Sequence, residues 1–94
     1  MGYILPSPSS TAEQARALMA QKDDIEAQLT EHLAVLRANG TNMTDPLLDR
    51  EGFPRADMDL WAVRLARQRI IELRNDLSAT MDAIGQTLEH VYDP

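Results

Sequence analysis

Val63, Ile70, Leu77, Ile84 and Val91 recur at strict seven-residue intervals, with Ala66 and Leu73 early and Met81 and Leu88 late. Only a long α-helix keeps such a series on one side, and no strand pattern reproduces it. The stripe drifts sideways, because a straight helix with a period of ~3.6 residues does not match a repeat of ~3.5. A second stripe lies upstream, where Leu18, Ile25, Leu29, Leu33 and Leu36 recur at helical steps. Two such helices, each roughly 40 to 50 Å long at ~1.5 Å per residue, are expected to fold back and bury each other's stripes. The fold class is therefore all-α: an antiparallel two-helix, coiled-coil-like hairpin with a long structured connector.

Local signals bound the helices. Ser10 with Glu13, and Thr11 with Gln14, both have capping-box spacing, so the first helix begins at Ser10 or Thr11. Asn39-Gly40 supplies a left-handed C-terminal cap. Asp57 is the expected cap of the second helix, with Asp59 in its first turn at the positive end of the helix dipole and the helix running to about Val91. Asp45-Pro46 resembles an N-cap with proline at the first helical position, which predicts one short helical turn inside the connector. Gly85, at the edge of the second stripe, is positioned to let the two backbones approach. Residues 1–9, with Pro6 and Pro8 among serines, read as a flexible lead-in, and residues 10–94 as a single helical-hairpin domain.

Ninety-four residues bury a modest core, so the chain is expected to bind through a surface and not through a deep catalytic cavity. A net charge of -6 opposes nucleic-acid binding, which requires a basic footprint. Arg50, Arg55, Arg64, Arg67, Arg69 and Arg74 nonetheless form a local basic band. The chain has no cysteine, and His32 and His90 lack metal-ligand spacing, so no metal or cofactor is expected. The carboxylates fall mostly on outer helix faces with no apolar wall to move their pKa values, so no enzyme activity is expected. No apolar run approaches bilayer length, and no membrane association is expected.

The connector is the unusual part. Asp45 to Leu60 is longer than a helical hairpin needs, and it carries Phe53, Pro54 and Arg55 between glycine and the second helix. Just beyond it, Trp61 and Leu65 lie about 130 to 170 degrees from the second stripe on a helical wheel, facing outward with Arg64 and Gln68. Either the connector folds over Trp61 to complete a small core, or Phe53, Pro54, Arg55, Trp61, Arg64, Leu65 and Gln68 form a partner surface of aromatic and arginine groups. The two readings are compatible if the covering loop is itself the contact. Asn39-Gly-Thr and Asn42-Met-Thr match the glycosylation pattern, but helix-end and turn roles suffice for both asparagines.

The run Glu51-Gly-Phe-Pro-Arg-Ala-Asp-Met-Asp-Leu60, continuing through Val63-Arg64, Ala66-Arg67, Ile70-Ile71, Leu73 and Asn75-Asp76, resembles the N-terminal domain of the proteasome non-ATPase regulatory subunit nine family. These are PDZ-containing assembly chaperones of the proteasome base. Leu18-Met19, Lys22, Ile25-Glu26-Ala27-Gln28 and Val35-Leu36 are similar to that family's opening helix, so the resemblance covers about Ala15 to Met81. It implies a non-enzymatic chaperone, cytoplasmic and nuclear, that grips the C-terminal helical domain of one proteasomal AAA ATPase subunit and blocks its premature association. A PDZ domain normally follows and binds the ATPase tail by strand addition. No PDZ-like sequence lies within the chain, so tail binding is not expected of it. The competing expectation is a structural hairpin that self-associates weakly through the stripe area two helices leave open.

Overall fold

The computed structural model describes residues 10–92; the expected lead-in and the side chain of Val91 lie outside what is described. Two helices, α1 (Thr11–Ala38) and α2 (Leu60–Tyr92), pack against each other, and the described residues include no strand, so the hairpin architecture read from the stripes holds. The Ser10 hydroxyl accepts the Glu13 N–H at 3.1 Å and caps α1. At the other end, Gly40 N–H donates to the Arg37 carbonyl and Thr41 N–H to the Leu36 carbonyl, both at 3.0 Å. Gly40 takes φ 67 there, the left-handed geometry that closes a helix and satisfies its last carbonyls.

The start of α2 differs from expectation. Asp59, not Asp57, is the cap: its carboxylate accepts the Ala62 N–H at 3.0 Å. The choice is tertiary, because the Asp59 N–H donates to Asn39 Oδ1 at 2.9 Å while Asn39 Nδ2 holds the Val35 carbonyl at 2.9 Å. One amide thus joins the end of α1 to the beginning of α2. Asp57 is used elsewhere, in a two-pronged pair with Arg55 at 3.1 and 2.7 Å. The Arg55 guanidinium holds the Asp57 carboxyl below the usual carboxylate range, chiefly through that hydrogen bond.

No helical turn forms at Asp45-Pro46. The Asn42 side chain accepts N–H groups from Thr44 at 2.9 Å and Asp45 at 2.8 Å, an Asx-type turn that takes the place of a cap. Beyond it the connector is a miniature hairpin. Asp49 N–H donates to the Phe53 carbonyl at 2.7 Å and Arg55 N–H to the Leu47 carbonyl at 3.0 Å, with Leu48 and Pro54 paired between them. The Asp49 carboxylate accepts the Glu51 and Phe53 N–H groups, both at 2.9 Å, and so fixes the tip. Gly52 occupies φ 86 within that tip, and a Cβ there would touch nothing. Gly52→Ala therefore isolates backbone strain, and is expected to lower stability by about 1 to 2 kcal/mol, read from the urea midpoint at constant slope.

The core is concentrated at the connector end. Leu36, Val63, Ala66 and Ile70 are buried together, and Leu29, Val35, Met43, Leu47 and Met58 pack on them from both helices and the connector. Toward the opposite end only helix meets helix, through Ile25, Leu73, Ile84, Ala15 and Thr80. The drift of the seven-residue stripe is visible here: Thr80 is carried inward, while Met81 is 47% exposed. Leu33 of the first stripe likewise reaches the rim at 37% exposure. The same rotation leaves Gly85 on an open side, where an added Cβ would meet nothing, so it is not a point of close helix approach. Lys22 lies half-buried beside the seam and reaches Glu26 at 2.7 Å, which raises its pKa.

Candidate partner-binding surface

Trp61 sits on the side of α2 turned away from α1 and is 76% exposed, so the connector does not fold over it. Leu65, one turn on, is 49% exposed. With Arg64 and Gln68 they line a shallow open depression of about 210 Å³. Helical geometry explains the grouping: positions 61, 64, 65 and 68 step by three and four residues and share one face. The Arg64 guanidinium has no hydrogen-bond or ion-pair partner among the described residues. The Gln68 amide reaches Glu72 only at 3.5 Å. An indole, an aliphatic chain and an unpaired guanidinium are thus presented together on a rigid helix. That combination supports anchor contacts to another protein and supplies no nucleophile, base or metal ligand.

The residues expected from the connector divide. Phe53 is 62% exposed and Pro54 is exposed, so the phenyl ring points outward on the miniature hairpin and does not enter the core. Neither lines the depression around Trp61. Arg55 is half-buried and committed to the connector itself, through Asp57 and a 3.5 Å approach to the Pro46 carbonyl. Of the seven expected residues, then, Trp61, Arg64, Leu65 and Gln68 form one surface, Phe53 and Pro54 a separate exposed tip, and Arg55 an internal brace.

Arg67, a member of the basic band in sequence, braces the connector that carries the exposed tip. Arg67 donates to the Asn42 carbonyl at 2.9 Å, the Asp45 carbonyl at 2.7 Å and Thr41 Oγ1 at 3.3 Å. It holds the first half of the connector against α2. The signal was its wheel position, beside the seam and close to the start of α2, where a long donor reaches a loop folding back. The band does not survive as a unit, since Arg55 pairs with Asp57 and Arg69 with Glu72. Among the described residues no group of three or more potential ligands could hold a metal ion, and no helix is long and apolar enough to cross a membrane.

The family model of the Nas2 N-terminal domain matches residues 15–93. The chain is 41% identical over 83 residues to the 26S proteasome non-ATPase regulatory subunit 9 of Homo sapiens, covering 87% of this chain and 37% of that protein. It is 45% identical over 85 residues to the protein of the same description from Drosophila melanogaster, covering 89% and 38%. The probable 26S proteasome regulatory subunit p27 of Schizosaccharomyces pombe is 40% identical over 80 residues, covering 85% and 38%. The chain therefore spans less than two fifths of the length of these relatives. No solved structure matches it.

Proposed function

Because the chain belongs to the Nas2 N-terminal domain family, we propose that it is the helical module of a proteasome regulatory-particle assembly chaperone. In this reading it binds the C-terminal helical domain of one AAA ATPase subunit of the base and blocks that subunit's premature association. That its relatives are 26S proteasome regulatory subunits supports a proteasome-related role. The observation that carries the reading further is the exposure of Trp61 beside Leu65 and the unpaired Arg64, on a helix face that nothing in the hairpin needs. An indole left in water on a small domain has apolar area to bury against a partner, and tryptophan and arginine are the residue types that most often anchor protein interfaces. The reading is non-enzymatic: the module works by occupying a surface.

Titration of a proteasomal ATPase C-terminal domain with the wild-type chain and with Trp61→Ala and Arg64→Glu tests it. Trp61→Ala is expected to weaken binding on the order of 30-fold or more, as an interface anchor does. Both side chains are exposed, so the far-ultraviolet circular dichroism and unfolding midpoint are expected to stay at wild-type values. Equal affinities for wild type and folded variants would remove this face from the interface.

A further inference from the structure

A second groove lies on the flank of the hairpin where α1, the connector and α2 meet, and it shares no residue with the depression at Trp61. Its volume is about 420 Å³, larger than that of the depression at Trp61. Leu33, Leu36 and Met43 give it an apolar lining, and Arg37 and Arg74 stand beside them. Its composition departs from that of the whole molecule. The chain carries 15 acidic and 9 basic residues, yet two arginines and no carboxylate line this groove. Neither guanidinium makes a hydrogen bond or ion pair among the described residues, whereas Lys22, Arg55 and Arg69 all have acidic partners. The neighbouring groove at Met19 and Met81 includes Asp23, and the one at Leu18 includes Asp76.

We propose that this groove is a docking site for an acidic protein segment carrying an aliphatic anchor, with the anchor against Leu33 and Met43 and its carboxylates on Arg37 and Arg74. Charge complementarity selects this occupant. An arginine fork pairs with a carboxylate in two-pronged fashion, and the apolar lining strengthens the pair by excluding water. A nucleic acid fits poorly, because its run of phosphates needs an extended basic footprint, and this groove offers two arginines on a chain of net charge -6.

The test uses the whole chain, isotope-labelled for amide chemical-shift mapping, and a blocked octapeptide of sequence Glu-Leu-Leu-Glu-Asp-Leu-Leu-Glu as probe. Shifts are expected at Leu33, Arg37, Thr41 to Thr44 and Arg74, fading as salt rises. An otherwise identical peptide with lysine at every acidic position is expected not to bind. The double variant Arg37→Glu, Arg74→Glu is expected to lose on the order of tenfold or more in affinity, and Trp61→Ala none. Should the double variant fail to fold, the wild-type map and Arg74→Gln decide the matter. Shifts centred on Trp61 to Gln68, equal binding of the lysine peptide, or full competition by inorganic phosphate would each overturn the proposal. So would sedimentation showing that the groove residues respond only to dimer formation.

Discussion

Replacing Ile70 with alanine is expected to remove about 3 to 4 kcal/mol of unfolding free energy. Ile70 is fully buried, and it lies in the one cluster where both helices and the connector converge. The side chains around it belong to α1, α2 and the connector at once, so no single element can shift to refill the space, and an uncollapsed cavity is the costly kind. A domain of this size has roughly 5 to 10 kcal/mol to lose, so the variant would stand near the edge of folding. Thermal unfolding should show a midpoint lower by on the order of 15 to 25 °C. Leu77→Ala, at a half-buried position one heptad later, is the control and should lose less than half as much. Equal losses at the two positions would show that the core is spread evenly along the hairpin.

Arg67→Met is the second large effect, expected at about 2 kcal/mol. Methionine keeps the apolar stem but removes every donor to the Asn42 carbonyl, the Asp45 carbonyl and Thr41 Oγ1. Hydrogen bonds from a charged donor are individually worth about 1.5 to 3 kcal/mol, but these are partly open to water, which replaces some of what is lost. The distinguishing readout is local. Amide exchange should accelerate across residues 41–58 before it changes in the helices. Arg67→Lys should restore little, because an ammonium cannot span three acceptors arranged for a planar fork. A uniform acceleration along the whole chain would mean that Arg67 supports the helices and not the connector.

The helices were legible because their signals are local. The Ser10 cap, the Asn39-Gly40 stop and the seven-residue stripe each act within a turn or two; both helix ends of α1 form where their residues predict, and Val63, Ile70 and Ile84 of the stripe are buried. The outward position of Trp61 followed from the same wheel geometry. The features that local signals do not reveal depend on partners distant in sequence. Asp57 and Asp59 are equivalent as caps until Asn39 takes the Asp59 N–H and Arg55 takes Asp57. Asp45-Pro46 has the composition of a helix start, yet the Leu47 carbonyl is held extended by Arg55 and the Asp45 N–H is claimed by Asn42. Arg67 illustrates the same limit: the wheel places its side chain beside the seam, but its three acceptors lie more than 20 residues upstream and only the folded connector brings them there.

The uneven core also sets how the hairpin responds to mechanical load. In an antiparallel pair joined by one connector, Thr11 and Tyr92 lie at the same open end, where only helix meets helix. A pull applied across those two ends loads the seam in peeling geometry and not in shear, so the pairs around Ala15, Ile84 and Thr80 part in succession, each at low force. The peel then meets Leu36, Val63 and Ile70, clasped by the connector, and stalls. The module is thus built as a soft jaw on a stiff hinge: its open end is expected to part first under tension, while the Trp61 face, carried by the hinge, keeps its shape.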